Sequence, residues 1–323
     1  DNITKEGLIS TDINLKFDLD GEIKNNYQIN GTVKKAKFNI FNKVEIDDLN
    51  LLFNISNNQL TLKKIETNLN SIKLKSPLIK IEKKKDIFFV DGEVANKEQN
   101  FDIKKLKPIF GDLPNNIEIE KIDFNSVNIF SFNINKKLKL KDLKLETILN
   151  LENFQIVKNP LNLKTFLPNY AEQIKFKDHK IKIKLIKGIL DIRGDGDIYI
   201  GDESEQLSYS VIKDDRKITF DTNLNIKNNP LTINFLDYKK KKGNSSEILL
   251  KGIYKKNKEL ILKDISITEK NNQILIKDLM FSKNFKVKDL SYIKLNYRNK
   301  NDLLNNLELK KNKSNFSING KSF

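Results

Sequence analysis

Leu138-Lys139-Leu140-Lys141-Asp142-Leu143-Lys144-Leu145 places apolar residues at alternate positions, breaks at a polar pair, and resumes alternation on the opposite parity. The figure recurs at Val44-Glu45-Ile46-Asp47-Asp48-Leu49-Asn50-Leu51 and at Leu60-Thr61-Leu62-Lys63-Lys64-Ile65. Looser copies are Leu260 to Ile267, Ile274 to Leu279 and Phe285 to Leu290. Alternation with period two marks a strand with one wet and one dry face. A slip of one residue would turn every later side chain to the wrong face. The polar pair therefore has to absorb an extra residue, as a β-bulge does. A two-residue hairpin is the rival, but Lys-Asp is poorly suited to the positive φ such turns want. The reading is bent strands, repeated into one long curved sheet.

Composition agrees. Only 38% of the 323 residues are hydrophobic and mean hydropathy is -0.52, yet the apolar content is well patterned. A sheet with one apolar and one solvated face needs about this much. The formal charge of +16 is almost all lysine, the arginines being Arg193, Arg216 and Arg298. Nucleic-acid surfaces lean on arginine for bidentate contacts, so no nucleic-acid partner is expected. The excess of Lys, Asn and Ile has the look of codon bias in an AT-rich genome, and attraction to anionic headgroups is compatible with it. The absence of cysteine excludes disulfides and thiolate metal sites. No apolar run is long enough for a membrane-crossing helix, and no signal peptide is visible. The chain starts at Asp1 and stops in mid-pattern at Phe323, which suggests a piece of something longer.

Strands are expected over Ile13 to Leu19, Tyr27 to Ile40, Val44 to Ile55, Gln59 to Leu69, Ile72 to Ile81 and Ile87 to Val94, with Asn and Asp clusters as turns. Pro77 suggests an edge or a break. Phe101 to Asn116 has helical spacing for a turn or two. Strands return over Ile117 to Ile134 and Leu138 to Val157. Asn159 to Gln173 is irregular, with Leu163, Phe166 and Leu167 as a short apolar face, and strand rhythm then runs almost unbroken to Phe323. This gives residues 1–158 as one part of the sheet, 159–173 as an irregular or short helical connection, and 174–323 as the second part.

A second device is glycine seated in the apolar register, at Gly31, Gly92, Gly194, Gly196, Gly252 and Gly320. The chain has 12 glycines, and glycine weakens a strand where nothing requires it. Its placement marks tight bends or close approach to the backbone.

Arrays of alternating strands, apolar-x-Gly-x-apolar strands such as Val90-Asp91-Gly92-Glu93-Val94, and the apolar-x-apolar-x-Asp-Leu figure resemble the AsmA-like family, the YhdP- and TamB-like repeating β-groove proteins. The strand Phe316-Ser317-Ile318-Asn319-Gly320-Lys321-Ser322-Phe323 resembles the one leading into the AsmA-like C-terminal part. The resemblance implies a mostly β, elongated, curved antiparallel groove with a hydrophobic concave face and one or two short helices. It implies a protein of the periplasm and cell envelope of a Gram-negative bacterium, anchored in the inner membrane through a segment absent here. Its partners would be phospholipids, with outer-membrane or periplasmic proteins as possible recipients, and it would carry acyl chains between the membranes without catalysis. The dry face expected to line the groove comprises Phe38, Ile40, Leu49, Leu51, Phe53, Ile55, Leu60, Leu62, Leu138, Leu140, Leu143, Leu145, Leu224, Ile226 and Leu262. Independently, two short helical stretches cannot cover the apolar face of so many strands, and a large uncovered apolar face marks a binding surface.

Residues that suggest other chemistry are weak. His179 is the lone histidine, without cysteines to complete a zinc site or a Gly-x-Ser-x-Gly elbow to make it a catalytic base, and is expected in a turn or on the wet face. Asp191, Asp195, Asp197, Asp202 and Glu203 lack the spacing of a calcium loop. Arg193-Gly194-Asp195 spells an adhesion tripeptide whose glycine the strand device already explains. Lys239 to Lys242 and Lys83 to Lys85 are expected as solvated loops. No catalytic residue, cofactor or metal is assigned. The alternative is an extracellular β-solenoid or adhesin-like module binding protein or glycan.

Overall fold

A computed structural model describes residues 6–22, 27–40, 44–70, 72–101, 118–137, 139–158, 163–170, 173–313 and 315–322. They are almost all antiparallel β, in one long open sheet of 19 strands. The chain divides into two compact units: Asp1–Leu113 with Lys121–Asn150 and Ile183–Gly188, and Pro114–Glu120 with Leu151–Lys182 and Ile189–Phe323.

The first unit is an up-and-down meander. It runs through β1 (Glu6–Asn14), β2 (Gln28–Ile40), β3 (Val44–Ser56), β4 (Gln59–Leu69), β5 (Ile72–Lys84) and β6 (Ile87–Asn100) into β7 (Glu118–Asn135) and β8 (Leu140–Lys158), each of β1 to β6 pairing with the next. The first strand stops at Asn14, short of the expected Leu19. Phe101 is buried and stacks on Phe124 at 4.3 Å, while the rest of the helical reading over Phe101 to Asn116 lies outside the described residues.

In the second unit, β9 (Ile174–Ile186), β10 (Ile189–Ile200), β11 (Glu203–Lys213) and β12 (Lys217–Ile226) continue the same way. The rhythm then breaks, contrary to expectation. Residues 227–245 leave the sheet, forming β13 (Leu231–Ile233), a 3-10 turn at Asn234–Leu236 and β14 (Tyr238–Lys240), which pair with each other alone. The sheet resumes with β15 (Ser246–Lys255), which pairs with β12 as though nothing intervened. It ends with β16 (Glu259–Glu269), β17 (Asn272–Ser282), β18 (Val287–Asp289), β19 (Tyr292–Arg298), β20 (Leu304–Asn312) and β21 (Asn315–Lys321). A second 3-10 turn, Leu163–Thr165, lies in the irregular connection.

The parity slips are bulges inside continuous strands. Asp48, Lys64, Asp142 and Asp278 take φ of 50°, 51°, 52° and 49° in the interiors of β3, β4, β8 and β17. The bulge thus uses the positive φ that told against a hairpin. Asp tolerates this region because its short side chain finds local partners. The Asp48 carboxylate accepts from Asn50 Nδ2 at 3.0 Å, and Asp142 accepts from Asn133 Nδ2 at 2.9 Å. At Asp289-Leu290-Ser291 the slip is larger: β18 and β19 both pair with β17 but are separate strands, and Ser291 Oγ donates to Asp278. Pro77 sits at a break and not at an edge, one of the two places its presence suggested. It lies in β5, between β4 and β6, where the register shifts from Lys75 to Ile79, so a residue without an N–H occupies a place where the ladder is already interrupted.

Candidate functional site

In the second unit, cross-strand register puts Leu224, Ile248, Ile267, Ile274 and Leu295 in one row, and Leu250, Ile265, Ile276 and Ile293 in the next. Their chain neighbours, such as Asn223, Glu247, Ser266 and Lys294, face the other way. The expected dry-face residues Leu224 and Leu262 are half-buried here, and Ile226 is fully buried.

One end of this face is covered by residues 227–245, held down by charges that the sheet presents. Glu205, 3% exposed, accepts backbone N–H bonds from Lys227 at 2.7 Å, Asn228 at 2.8 Å and Asn229 at 2.6 Å. Glu269 accepts from Tyr238 Oη at 2.7 Å and Asn244 Nδ2 at 2.7 Å. Burial and the adjacent Glu269 carboxylate push the Tyr238 phenol far above its usual range. Tyr297 Oη donates to the Leu236 carbonyl at 2.6 Å and meets the Tyr238 ring edge-on. The expectation that Lys239 to Lys242 form a solvated loop fails at Lys240, which is fully buried in β14 and donates to the Asn229 carbonyl at 2.6 Å. Its burial lowers its pKa, opposed by the charges of Glu205 and Glu269. Nothing in the lysine run marks that one residue, because its partners are backbone carbonyls brought in by the fold. The segment 163–170 joins the cover through Thr232 N–H to Phe166 O at 2.8 Å.

Between cover and sheet lies a pocket of about 450 Å³ with entirely apolar lining. Leu163, Phe166 and Leu167 come from the irregular connection, as their apolar spacing suggested; Leu231, Ile233 and Phe235 come from the insertion; the floor is the sheet rows. Phe235 is 82% exposed at its margin.

Five of the six glycines in the apolar register prove to be seats for rings, while the sixth, Gly320, meets the backbone of Asn306 and Leu307. Gly194 registers opposite Tyr209 and Gly252 opposite Phe220, and a Cβ on either glycine would lie 2.5 Å from the ring. In the first unit Gly31 faces Phe53 and Gly92 faces Phe130 in the same manner. The aromatic side chain lies across the glycine instead of standing up from the sheet. His179 is corrected likewise. It is buried in β9, against the backbone of Gly196 and beside Phe176 and Tyr209, not in a turn or on a wet face. Burial depresses its pKa.

The acidic cluster does not converge. Asp191 binds Arg193 in a two-pronged pair, Asp197 takes an N–H from Gln206, and Glu203 bridges to Lys242. Among the described residues no group of acids and histidine could hold a metal ion.

In the first unit, Phe38, Leu49, Leu51, Phe53, Ile55, Leu60 and Leu62 share one half-buried face of β2 to β4. Ile40 ends β2, with its side chain outside the description, as is Leu138. Leu143 and Leu145 are half-buried, whereas Leu140 is 53% exposed. This face also carries a polar row the sequence reading missed. Asn96, Ser126 and Thr147 are buried; Ser126 Oγ donates to Asn96, Asn128 Nδ2 donates to Ser126 Oγ at 2.9 Å, and Thr147 Oγ1 donates to Asn128 at 2.8 Å.

Comparisons of the chain with protein-family models, curated proteins and solved structures give no match.

Proposed function

We propose that this protein binds the acyl chains of phospholipids along the dry face of its sheet and carries them in the cell envelope, without chemistry of its own. The observation that carries the reading is the pocket in the second unit, whose lining offers a ligand no polar partner. Ordinary ligand pockets of roughly 300–1,000 Å³ include a few polar groups that orient the ligand. A lining without them suits a hydrocarbon end. From the pocket row at Ile248 to Tyr254, the strand extends roughly 20 Å at ~3.3 Å per residue. That exceeds the ~15 Å spanned by one leaflet's chains in a ~30 Å bilayer core. Burial at ~25 cal/mol per Å² drives the binding. The periplasmic setting, and passage from inner to outer membrane, follow the AsmA-like resemblance and share its status as a proposal.

The test is purification from cells followed by identification of co-purifying lipid. Leu224→Asp in the second unit and Leu143→Asp in the first should lower bound phospholipid while far-UV circular dichroism stays that of a β-sheet. A lipid-free wild type, or equal lipid in all three proteins, would sink the proposal.

A further inference from the structure

The strands of the second unit have two ends, and antiparallel order assigns the turns between them unambiguously. The insertion and the Gly201-Asp202, Lys270-Asn271 and Asn299–Leu303 turns lie at the covered end. The opposite end, uncovered, carries Asp214-Asp215-Arg216, Lys256-Asn257-Lys258, Lys283-Asn284-Phe285-Lys286 and Asn312-Lys313. These turns form one rim: Lys217 registers opposite Lys255, Lys256 N–H donates to the Arg216 carbonyl at 3.2 Å, and Glu259 registers opposite Ser282.

The rim is basic beyond what its own acids neutralise. Asp214 is occupied by the backbone N–H groups of Arg216 and Lys217, at 2.8 and 2.9 Å. Glu259 is bound by Lys255 at 2.7 Å, and Asp289 by Lys311. Three lysines from two turns, Lys255, Lys258 and Lys288, act on the Glu259 carboxyl and help hold it below its usual range, so the positive charge is concentrated. Among the described residues Lys256, Lys258, Lys283 and Lys286 have no ion partner, and all four are exposed.

In the middle of that charge stand two exposed apolar side chains, Phe285 at 68% and Val287 at 64%, with Lys283, Lys286 and Lys288 around them. Phe285 holds a positive φ of 56° at the tip of its turn. An exposed ring ringed by lysines has no use in water. It matches the interfacial pattern in which an apolar side chain enters the headgroup layer while lysine stems reach the phosphates. The covered end also exposes apolar residues, Phe235, Leu303 and Leu304, but Asp237 and Asp302 accompany them.

We propose that this rim docks on an anionic phospholipid membrane surface, with Phe285 entering the interface and the lysines of the turns at 256–258, 283–286 and 312–313 meeting phosphates. Charge complementarity and the exposed wedge carry the inference. It does not require that the pocket hold lipid, although docking at this end would bring the open end of the apolar face to the bilayer. A nucleic-acid partner would use the same charge but leave Phe285 and Val287 in water.

The test is flotation of the purified chain with vesicles of phosphatidylcholine alone and of phosphatidylcholine mixed with phosphatidylglycerol. The wild type should float with the mixed vesicles, not the neutral ones, and should be released by salt. Reversing Lys256, Lys258 and Lys283 to Glu should weaken binding by about fivefold or more for each lysine. Phe285→Ser should weaken it several-fold with charge unchanged, and Lys239→Glu with Lys270→Glu at the covered end should leave it intact. Equal flotation with neutral vesicles, no loss in either rim variant, or tighter binding to a duplex oligonucleotide than to anionic vesicles would overturn the proposal. A wild type that floats but co-purifies without lipid would retain the docking rim and reject the carriage reading.

Discussion

The two ends of the same strands in the second unit are built on opposite principles. At the covered end the sheet presents Glu205 and Glu269, both buried, to a segment that satisfies them with backbone and side-chain donors. At the open end Asp214, Glu259 and Asp289 are half-buried, the lysines outnumber the acids, and no segment lies over the apolar face among the described residues. A sheet with one dry face must cover it or leave it for a ligand. This unit does the first at one end, and the proposal is that it does the second at the other.

The covered end can be broken most severely. Glu205→Ala removes the acceptor for three backbone N–H groups and leaves Lys240 buried without that carboxylate. Orphaned buried polar groups and charges cost about 3–5 kcal/mol. Urea unfolding should show a loss of that size, or the loss of the pocket if the segment alone lifts away. A smaller effect is expected on the open face. Gly252→Ala drives a methyl into the Phe220 ring and should cost about 1–3 kcal/mol as overpacking. Gly252→Ala with Phe220→Leu should recover only the ring's share of the midpoint, since the methyl also meets the Ile261 carbonyl oxygen at 2.8 Å. An equal loss in single and double variants would show that the glycine serves the backbone only.

The smallest effect is in pH. His179 is buried and resists protonation, so the unfolded state takes up the proton first. Stability should therefore be full above the unfolded pKa of about 6.5 and fall as the pH drops below it. The slope approaches at most ~1.4 kcal/mol per pH unit and levels off below the folded-state value. In His179→Leu that slope should vanish from denaturation midpoints measured across this range.

Much of the fold was legible because period two leaves little freedom. The parity slip at Asp47-Asp48, Lys63-Lys64 and Lys141-Asp142 had to be a bulge or a turn. The poor fit of Lys-Asp to positive φ favours the bulge; a bulge forms although that ground fails, since Asp48, Lys64 and Asp142 take positive φ within their strands. The glycine seats were half legible. Gly252 stood out in the apolar register, but its ring comes from Phe220, and sequence alone does not set that register. The inserted part of the cover, residues 227–245, was not legible. Leu231, Ile233 and Tyr238 alternate like another strand pair, and what folds them onto the sheet is Glu205, Glu269 and Tyr297, far apart in sequence. Lys240 shows the same limit, because a buried lysine inside a run of lysines has no local signature. The polar row at Asn96, Ser126 and Asn128 was hidden for a simpler reason: Asn and Ser in a strand read as interruptions until their hydrogen bonds to one another are seen.

Leu275 and Ile276 are chain neighbours on opposite faces of β17, Ile276 lining the pocket and Leu275 opposite Ser266 on the polar face. A photo-crosslinking residue placed at each position in cells reads the central claim directly. Capture of phospholipid at position 276 and not at 275 is the predicted result; no capture at 276, or equal capture at both, would contradict it.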